Sequence, residues 1–354
     1  MNALKRKIID VIRAKGPISV ADYMRLALID PEHGYYMSRN PLGRDFTTAP
    51  EVSQIFGELI GLFFVQVWED RGSPSHFHFV ELGPGRGTLM ADMLRAAAKV
   101  RPEFVAAAKI TLVEVSPFLR GTQAETLSSV AVKWVSRFDE VPNDLPLFLI
   151  GNEIFDALPI RQFVKSEIGW HERMVTAQGD NLAFSSSPDI FQPRSHAVNF
   201  GAPSGSVLEI SEFAGPIISD ISRRFERFDG VALIIDYGYA KTALGDTLQA
   251  LKGGAYVDPL AEPGEADLTA HVDFEALTRA AQGTIKGPVS QAEFLERLGI
   301  RVRAELLKRK NPAQAAQIDL DVSRLIDADE MGILFKTVAL CEARGQPTLP
   351  GFDD

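Results

Sequence analysis

The sequence predicts an α/β protein with an open, doubly wound and mostly parallel sheet. From residue 77 onward, short apolar segments alternate with segments of helical periodicity, which is typical of parallel strands covered by helices. The first apolar segment ends in Glu81 and leads through a glycine-rich turn into an apolar helix. Two later strands also end in acids, Glu114 and Asp236, at the sheet edge where such folds bind ligands.

Hydrophobic periodicity sets the expected strand and helix boundaries. Five strands are predicted first, with helices between the early ones. A helix and a closing strand follow near the end of the chain. The predicted strands lie at 77–82, 109–115, 130–135, 147–150, 231–236 and about 333–341, and the helices at about 87–100, 117–127 and 290–299.

Three parts are expected along the chain. Residues 1–76 form an N-terminal helical segment, because apolar residues recur at helical spacing on both sides of Gly16-Pro17 and again from 51 to 69. The interval 157–229 is too long for a normal crossover connection. It contains strand-like runs divided by Gly, Pro and Ser, which indicates an inserted β-rich subdomain. The sheet domain itself takes 77–156 and 230–345.

Composition excludes several classes of protein. A net charge of −10 argues against sequence-independent binding of nucleic acid, which relies on a basic surface. The apolar runs are all shorter than a membrane span, so no membrane insertion is expected. A single cysteine, Cys341, excludes an intramolecular disulfide and a cysteine-rich metal site. We therefore expect a cytoplasmic protein without a bound metal.

The segment from Phe79 to Thr88 predicts a cofactor site. Glu81 stands two residues before Gly83, Gly85 and Gly87, which alternate as G-x-G-x-G. Dinucleotide sites that hold a pyrophosphate use G-x-G-x-x-G instead.

An acid before closely spaced glycines suits a ligand with a cationic amino-acid end and no phosphate. Glu114, at the end of the next strand, is expected to accept the ribose hydroxyls. These features favour S-adenosyl-L-methionine (SAM) over NAD. Asp139 or Glu140 would lie near the adenine or, as we prefer, in a surface turn.

The segment that follows the fourth strand predicts the substrate side of the site. Within 151–159, Asn152, Glu153 and Asp156 supply an amide and two carboxylates. Asn152 is a candidate for positioning a substrate nitrogen, and Glu153 and Asp156 for holding a cationic group through charge-assisted hydrogen bonds. The alternative is structural, with Asp156 capping a helix and Glu153 supporting the turn. Asp236 adds an acid at the end of the fifth strand, on the same rim.

The chain resembles the mitochondrial complex I assembly methyltransferase family, also called MidA, which has many bacterial members. The resemblance extends from Tyr23 to about Cys341, and several motifs in the same order carry it. These motifs are His33-Gly-Tyr-Tyr36, Phe46-Thr-Thr-Ala-Pro-Glu-Val-Ser53, Glu81-Leu-Gly-Pro-Gly-Arg-Gly87, Asn152-Glu-Ile-Phe-Asp-Ala-Leu-Pro159, Asp236-Tyr-Gly238 and Leu268-Thr-Ala-His-Val-Asp-Phe274.

The resemblance implies a class I SAM-dependent methyltransferase fold, which is Rossmann-like. It also implies symmetric dimethylation of an arginine in a complex I core subunit. Guanidinium is planar and well matched to carboxylates, and we assign it first to Glu153, with Asp156 and Asp236 as second choices. The chain shows no Arg-rich and Ser-rich leader, so a bacterial member is expected. A small-molecule methyltransferase and a SAM-binding assembly factor without turnover stay open as alternatives.

Overall fold

The computed structural model describes residues 1–38, 47–193, 201–342 and 348–353. These residues divide into two compact units that each draw on three stretches of the chain. The first unit takes Met1–Phe46, Asp156–Pro216 and Lys241–Ala276, and the second takes Thr47–Phe155, Ile217–Ala240 and Leu277–Asp354. In the described ranges, no helix is both long enough and apolar enough to cross a membrane.

A mostly parallel seven-stranded path forms the centre of the second unit. In chain order its strands are β1 (Phe77–Leu82), β2 (Ala108–Val113), β3 (Val132–Val135), β4 (Leu147–Asn152), β5 (Gly230–Tyr239), β6 (Thr284–Ser290) and β7 (Phe335–Cys341). The spatial order is β3-β2-β1-β4-β5-β7-β6. Pairings from β3 to β5 are parallel, whereas β7 is antiparallel to both of its neighbours.

This topology confirms the predicted fold class and the six predicted strands, with shifts of a few residues at their ends. The strand order reverses between β1 and β4, and open parallel sheets bind ligands at the carboxyl end of such a switch point. β6 was not predicted, because Gly287 and Pro288 interrupt its apolar pattern.

Helices of the second unit bury an aromatic core against the sheet strands. Phe64 and Phe79 meet edge to face with ring centroids 5.2 Å apart, and Phe104 and Phe148 complete the cluster. The helices are Ala49–Val52, Gln54–Asp70, Thr88–Val100, Pro102–Ala107, Pro117–Thr126, Gln291–Arg297, Ile300–Lys310, Ala315–Ile326 and Met331–Leu334, with short 3-10 turns at Phe138–Glu140 and Pro312–Gln314. Two more helices, Ala214–Arg227 and Phe274–Ala280, begin in residues of the first unit and end in residues of the second.

Two small sheets and three helices make up most of the first unit. The larger sheet contains Ile18–Ser19, Ile160–Lys165, Trp170–Gln178, Asn181–Phe191 and Val207–Ser211, and the smaller one Gln249–Lys252, Ala255–Val257 and Asp267–Thr269. A two-residue strand, Val272–Asp273, follows. The helices are Ala3–Lys15, Val20–Ile29 and Tyr35–Ser38.

The division into units differs from the three parts expected from the sequence. The N-terminal helices share a core with the β-rich insertion, because Ile8 and Met24 pack with Ile160 and Val175. Residues 241–276 belong to the same unit, whereas 47–76 belong to the sheet unit. Sequence periodicity missed these memberships because long-range pairing decides them, as when Ile18 pairs with Val175.

Close packing of two helices in the second unit depends on Gly57 and Gly61. A β-carbon at Gly57 would lie 2.6 Å from Asp92 Cβ, and one at Gly61 would lie 2.7 Å from Met93 Cα. Real β-carbons do not approach other atoms so closely, so the helix Gln54–Asp70 can lie against Thr88–Val100 only with glycine at both positions.

We predict that Gly61→Ala lowers the free energy of unfolding by about 1–3 kcal/mol, because the two helix backbones must move apart. Urea denaturation of the purified chain measures this change. Gly121→Ala is the matched control. A β-carbon there meets no heavy atom within 4 Å, so a gain of about 0.5–1 kcal/mol is expected. Equal effects of the two variants would contradict the packing role of Gly61.

Candidate active site

The glycine loop after β1 has a backbone that other residues adopt only under strain. Gly83, Gly85 and Gly87 have φ values of 60°, 53° and 81°. A β-carbon on Gly83 would also approach Ile154 Cδ1 to 2.6 Å. Gly87 ends the loop as the N-cap of the helix Thr88–Val100. Glycine at these positions therefore allows both the tight turn at the carboxyl end of β1 and the close approach of Ile154.

Glu81 is a fully enclosed acid whose charge is poorly compensated. Burial raises its pKa to about 8; the main-chain N–H of Met90 opposes the rise, and the nearby Glu114 adds to it. Among the described residues, Glu81 Oε2 has no hydrogen-bond partner. A buried acceptor without a hydrogen bond destabilises the folded protein. An ammonium group would supply both a donor and a positive charge to offset the carboxylate.

Glu114 follows β2 and is held by its neighbours in the chain and by Gln123. Its Oε1 accepts a hydrogen bond from Ser116 N at 2.7 Å, and its Oε2 accepts one from Gln123 Nε2 at 3.1 Å. Burial raises the pKa of Glu114, and these two donors act against the rise. The acid lies where the sequence predicted it, after the strand next to β1.

Gln123 is a positioning residue that the sequence did not reveal. Its fully buried amide donates to Gly85 O at 2.8 Å as well as to Glu114, and its Oε1 accepts from Trp134 Nε1 at 2.9 Å. One side chain thus connects the glycine loop, the acid after β2 and strand β3. A lone glutamine in an amphipathic helix gives no signal in a single sequence. Trp134 belongs to this network through its indole N–H.

Asn152 and Glu153 lie together at the end of β4. Glu153 has a left-handed backbone with φ of 51°, which is unfavourable for a side chain of this type. Its Oε1 accepts hydrogen bonds from Ala49 N at 3.0 Å and Asn152 Nδ2 at 3.1 Å. Because the amide nitrogen of Asn152 faces the carboxylate, its Oδ1 points elsewhere. That buried Oδ1 has no hydrogen-bond partner within the described part of the chain.

Asp236 supports the turn that carries Glu153. The carboxylate is fully buried, and its Oδ2 accepts from Ile154 N at 3.2 Å and Phe155 N at 2.9 Å, while Oδ1 accepts from Tyr237 N at 2.9 Å. These bonds give Asp236 a structural role that the sequence interpretation did not include. Asp156 belongs to the first unit, where its main-chain oxygen accepts from Ala270 N at 3.0 Å.

Residues 47–53 contribute further contacts around the glycine loop. Glu51 Oε1 accepts a hydrogen bond from Thr88 Oγ1 at 2.7 Å, and Arg86 lies 3.6 Å from Glu51 Oε2. The sequence motif indicated that this segment matters, but its partners could not be identified. Phe46, the first residue of the motif, lies outside the described residues.

The remaining candidate residues from the sequence are not assigned to the site. Asp139 and Glu140 are exposed in a 3-10 turn, as we preferred. Tyr36 donates to Asp267 Oδ1 at 2.8 Å within the first unit, so the His33–Tyr36 motif contacts the residue just before the Leu268–Phe274 motif. In the same unit, the main chain of His271 donates to Thr247 Oγ1.

Comparison with known proteins agrees with this geometry. Residues 59–289 match a family described as S-adenosyl-L-methionine-dependent methyltransferases. A mouse (Mus musculus) protein named Protein arginine methyltransferase NDUFAF7, mitochondrial, is 38% identical, with 95% of this chain and 83% of that protein covered. Its Drosophila melanogaster homolog is 37% identical, with 96% and 84% covered. The chain belongs to this methyltransferase family.

A solved structure supports the fold and the cofactor of the family. The crystal structure of a relative from Burkholderia thailandensis, bound to S-adenosyl-homocysteine, superimposes with a TM-score of 0.87 at 28% identity. The match covers 99% of this chain and 94% of that one. The protein is therefore a SAM-dependent methyltransferase with a class I fold, as the sequence predicted.

The residues of this methyltransferase fit SAM. Glu81 Oε2, which has no partner among the described residues, suits the ammonium of the methionyl end. The loop through Gly83, Gly85 and Gly87 lacks the G-x-G-x-x-G spacing of pyrophosphate sites, which fits a ligand without phosphate. Glu114, fixed by Gln123, is a suitable acceptor for ribose hydroxyls. These individual contacts remain predictions.

We predict that SAM binding at pH 7 releases a proton from Glu81. With a pKa of about 8, the carboxyl group is protonated in the ligand-free protein, and an adjacent ammonium favours its ionised form. Affinity should accordingly rise between pH 6 and pH 8. Calorimetry at pH 7 in two buffers of different ionisation enthalpy measures the released proton, and Glu81→Gln should lose it. The same proton release in that variant would exclude Glu81.

The raised pKa of Glu81 also affects the stability of the ligand-free protein. Between about pH 4.5 and pH 8 the folded state keeps a proton that the unfolded chain loses. The contribution of Glu81 to stability therefore falls as pH rises through this window. Denaturation of Glu81→Gln across the same range should show a weaker decline than the parent protein.

We predict that Gln123→Met weakens SAM binding by about tenfold or more, because a buried carboxylate and a glycine carbonyl each lose a donor. Calorimetric titration with S-adenosyl-homocysteine measures the loss, and a thermal melt shows whether the variant is folded. Gln66→Met is the matched control, since Gln66 is exposed on the helix Gln54–Asp70 and bonds Asp70. Unchanged affinity in folded Gln123→Met would show that the network has no part in binding.

Proposed function

We propose that this methyltransferase modifies an arginine side chain of a protein by symmetric dimethylation. The relatives that match over nearly the whole chain are named protein arginine methyltransferases. For the acceptor we propose a subunit of respiratory complex I, as the sequence resemblance implies. A net charge of −10 is compatible with a cationic partner.

The observation that carries this proposal is the buried Oδ1 of Asn152, which has no hydrogen-bond partner among the described residues and belongs to the amide that bonds the Glu153 carboxylate. Guanidinium presents five N–H donors in one plane, so it can bond an amide oxygen and a carboxylate at once. A neutral substrate could bond the same acceptors, but only a cationic group also matches the negative charge of the Glu153 carboxylate. An arginine therefore suits this pair better than an alcohol or a thiol does.

Glu153 has the main chemical role in this proposal. Its carboxylate would draw the positive charge of the guanidinium toward itself and fix the plane of the group. A nitrogen lone pair could then be directed at the methyl group that SAM supplies when bound. The methylated nitrogen gives up one proton, and we assign Glu153 as its acceptor.

Asp156 and Asp236 take secondary roles in the proposal. Asp236 holds the turn at Ile154 and Phe155 through main-chain bonds, so we assign it to support of Glu153. Asp156 comes three residues after Glu153 in the same motif. We keep it as a second candidate for contact with the substrate.

The methyl acceptor can be tested directly with purified complex I subunits and radiolabelled SAM. We expect label on an arginine, with mass spectrometry giving symmetric dimethylarginine, and no label after that arginine is changed to lysine. Saturable SAM binding without transfer to any subunit would contradict the proposed acceptor and favour a SAM-binding assembly factor. Transfer to small molecules alone would favour a small-molecule methyltransferase.

We predict that Glu153→Gly lowers turnover by at least about a hundredfold while the affinity for S-adenosyl-homocysteine changes by less than about threefold. Stability should change little, because glycine removes backbone strain of about 1–3 kcal/mol at a left-handed position. Thermal melts, calorimetry and initial rates measure the three quantities. Glu153→Gln, which keeps the strain, is the companion variant. A similar loss of affinity and turnover would instead assign Glu153 to the cofactor or to the fold.

A further inference from the structure

The motif at residues 47–53 contains a one-turn helix that contacts Glu153 on the substrate side of the site and the glycine loop on the cofactor side. At one end, Ala49 N donates to Glu153 Oε1 at 3.0 Å. Two residues later, Glu51 Oε1 accepts from Thr88 Oγ1 at 2.7 Å, and Glu51 Oε2 lies 3.6 Å from Arg86 Nη1. Arg86 lies within the glycine loop and Thr88 begins the helix after it. We refer to residues 48–53 as the brace.

We propose that Ala49 and Glu51 are positioning residues, through which the brace fixes Glu153 relative to the glycine loop. This inference rests on the proposed role of Glu153 in methyl transfer. It assigns to the brace no contact with substrate or cofactor. Its effect passes through the main-chain N–H of Ala49 at one end and the carboxylate of Glu51 at the other.

Local hydrogen bonds make the brace stiff enough for this role. Glu51 N and Val52 N both donate to Thr48 O, at 2.9 and 3.1 Å, and Ser53 N donates to Ala49 O at 3.4 Å. Pro50 restricts the backbone between the two contact residues, and both Ala49 and Pro50 are buried. The separation between the Ala49 N–H and the Glu51 carboxylate is therefore set by one helical turn.

The brace is also tied to the scaffold of the second unit. Ser53 caps the helix Gln54–Asp70, with Ile55 N donating to Ser53 Oγ at 3.4 Å. That helix packs closely on Thr88–Val100, the helix that the glycine loop begins. A shift of the loop relative to the brace would have to break the Glu51–Thr88 bond. The glycine loop and Glu153 are thus both held by hydrogen bonds to the brace.

At the Glu153 end, two donors converge on one oxygen. Ala49 N and Asn152 Nδ2 both reach Oε1, which fixes the direction of the carboxylate at a strained backbone position. Loss of the Ala49 donor would leave the chemical group intact but less well oriented. Small errors in orientation reduce the rate of transfer more than they reduce ligand affinity.

Proline substitution removes the Ala49 donor and places a ring carbon beside the Glu153 carboxylate. Ala49 is the first residue of its helix, a position that favours proline, and Thr48 has the extended backbone that must precede one (φ −83°, ψ 159°). We expect Ala49→Pro to lower kcat about tenfold or more, with affinity for S-adenosyl-homocysteine within about threefold of the parent. Ala49→Ser keeps the N–H and should keep the rate.

Ala3→Pro is the matched control for the proline itself. Ala3 is the first residue of the helix Ala3–Lys15, and Asn2 before it also has an extended backbone. This variant should have the parent kcat. If Ala49→Pro fails to fold, Thr88→Val tests the other end, because it removes the hydroxyl donor to Glu51 and keeps a β-branched side chain. Thr88→Val should lower kcat more than it weakens S-adenosyl-homocysteine binding, and equal losses would count against the brace.

A double-mutant cycle separates this inference from the proposed function. If the brace acts through Glu153, Ala49→Pro will have no further effect on kcat once Glu153 is alanine. Full activity of Ala49→Pro, or additive losses of kcat in the double variant, would overturn the positioning role proposed for the brace. Full activity of Glu153→Ala would instead overturn the role proposed for Glu153, whatever Ala49→Pro does.

Discussion

Parallel pairing of β1 with β4 is the constraint on which the site depends. Glu81 pairs with Ile150 and Leu82 with Gly151, so the glycine loop and the Asn152–Glu153 turn leave the sheet at the same edge. Both strands are completely buried, and the polar groups at their ends are therefore enclosed as well. Within the described residues, Glu81 Oε2 and Asn152 Oδ1 have no donor of their own. Two buried acceptors thus lie at the ends of adjacent strands, in surroundings that favour cationic ligands.

Polar contacts, more than apolar packing, fix the geometry around this edge. Gln123 joins the glycine loop to Glu114 and Trp134, the brace joins the same loop to Glu153, and Asp236 holds the turn that follows. These connections use buried or half-buried groups, and most of them join residues tens of positions apart in the chain. Such bonds are directional, so they specify the orientation of a carboxylate or a loop in a way that apolar contacts do not.

The site carries features that a structure selected for stability alone would lack. Burial of Glu81 raises its pKa to about 8, and Glu153 holds a left-handed backbone. Both conditions cost free energy in the ligand-free protein. The close helix packing at Gly57 and Gly61 and the aromatic core of the second unit provide stability elsewhere. Local strain at a functional site with compensation in the scaffold is a common arrangement in enzymes.

The sequence by itself determined the fold class, the six predicted strands and the location of the cofactor motif, because periodicity and closely spaced glycines are local properties. It also indicated Asn152 and Glu153 as a polar pair after β4. Tertiary structure alone decided that Asp236 bonds main chain, that Gln123 reaches Gly85 and that Ala49 N reaches Glu153. It likewise decided which residues share a unit. These contacts join residues tens of positions apart. Each also involves a main-chain N–H or C=O group, which every residue type possesses except that proline lacks the N–H, so the sequence does not reveal it.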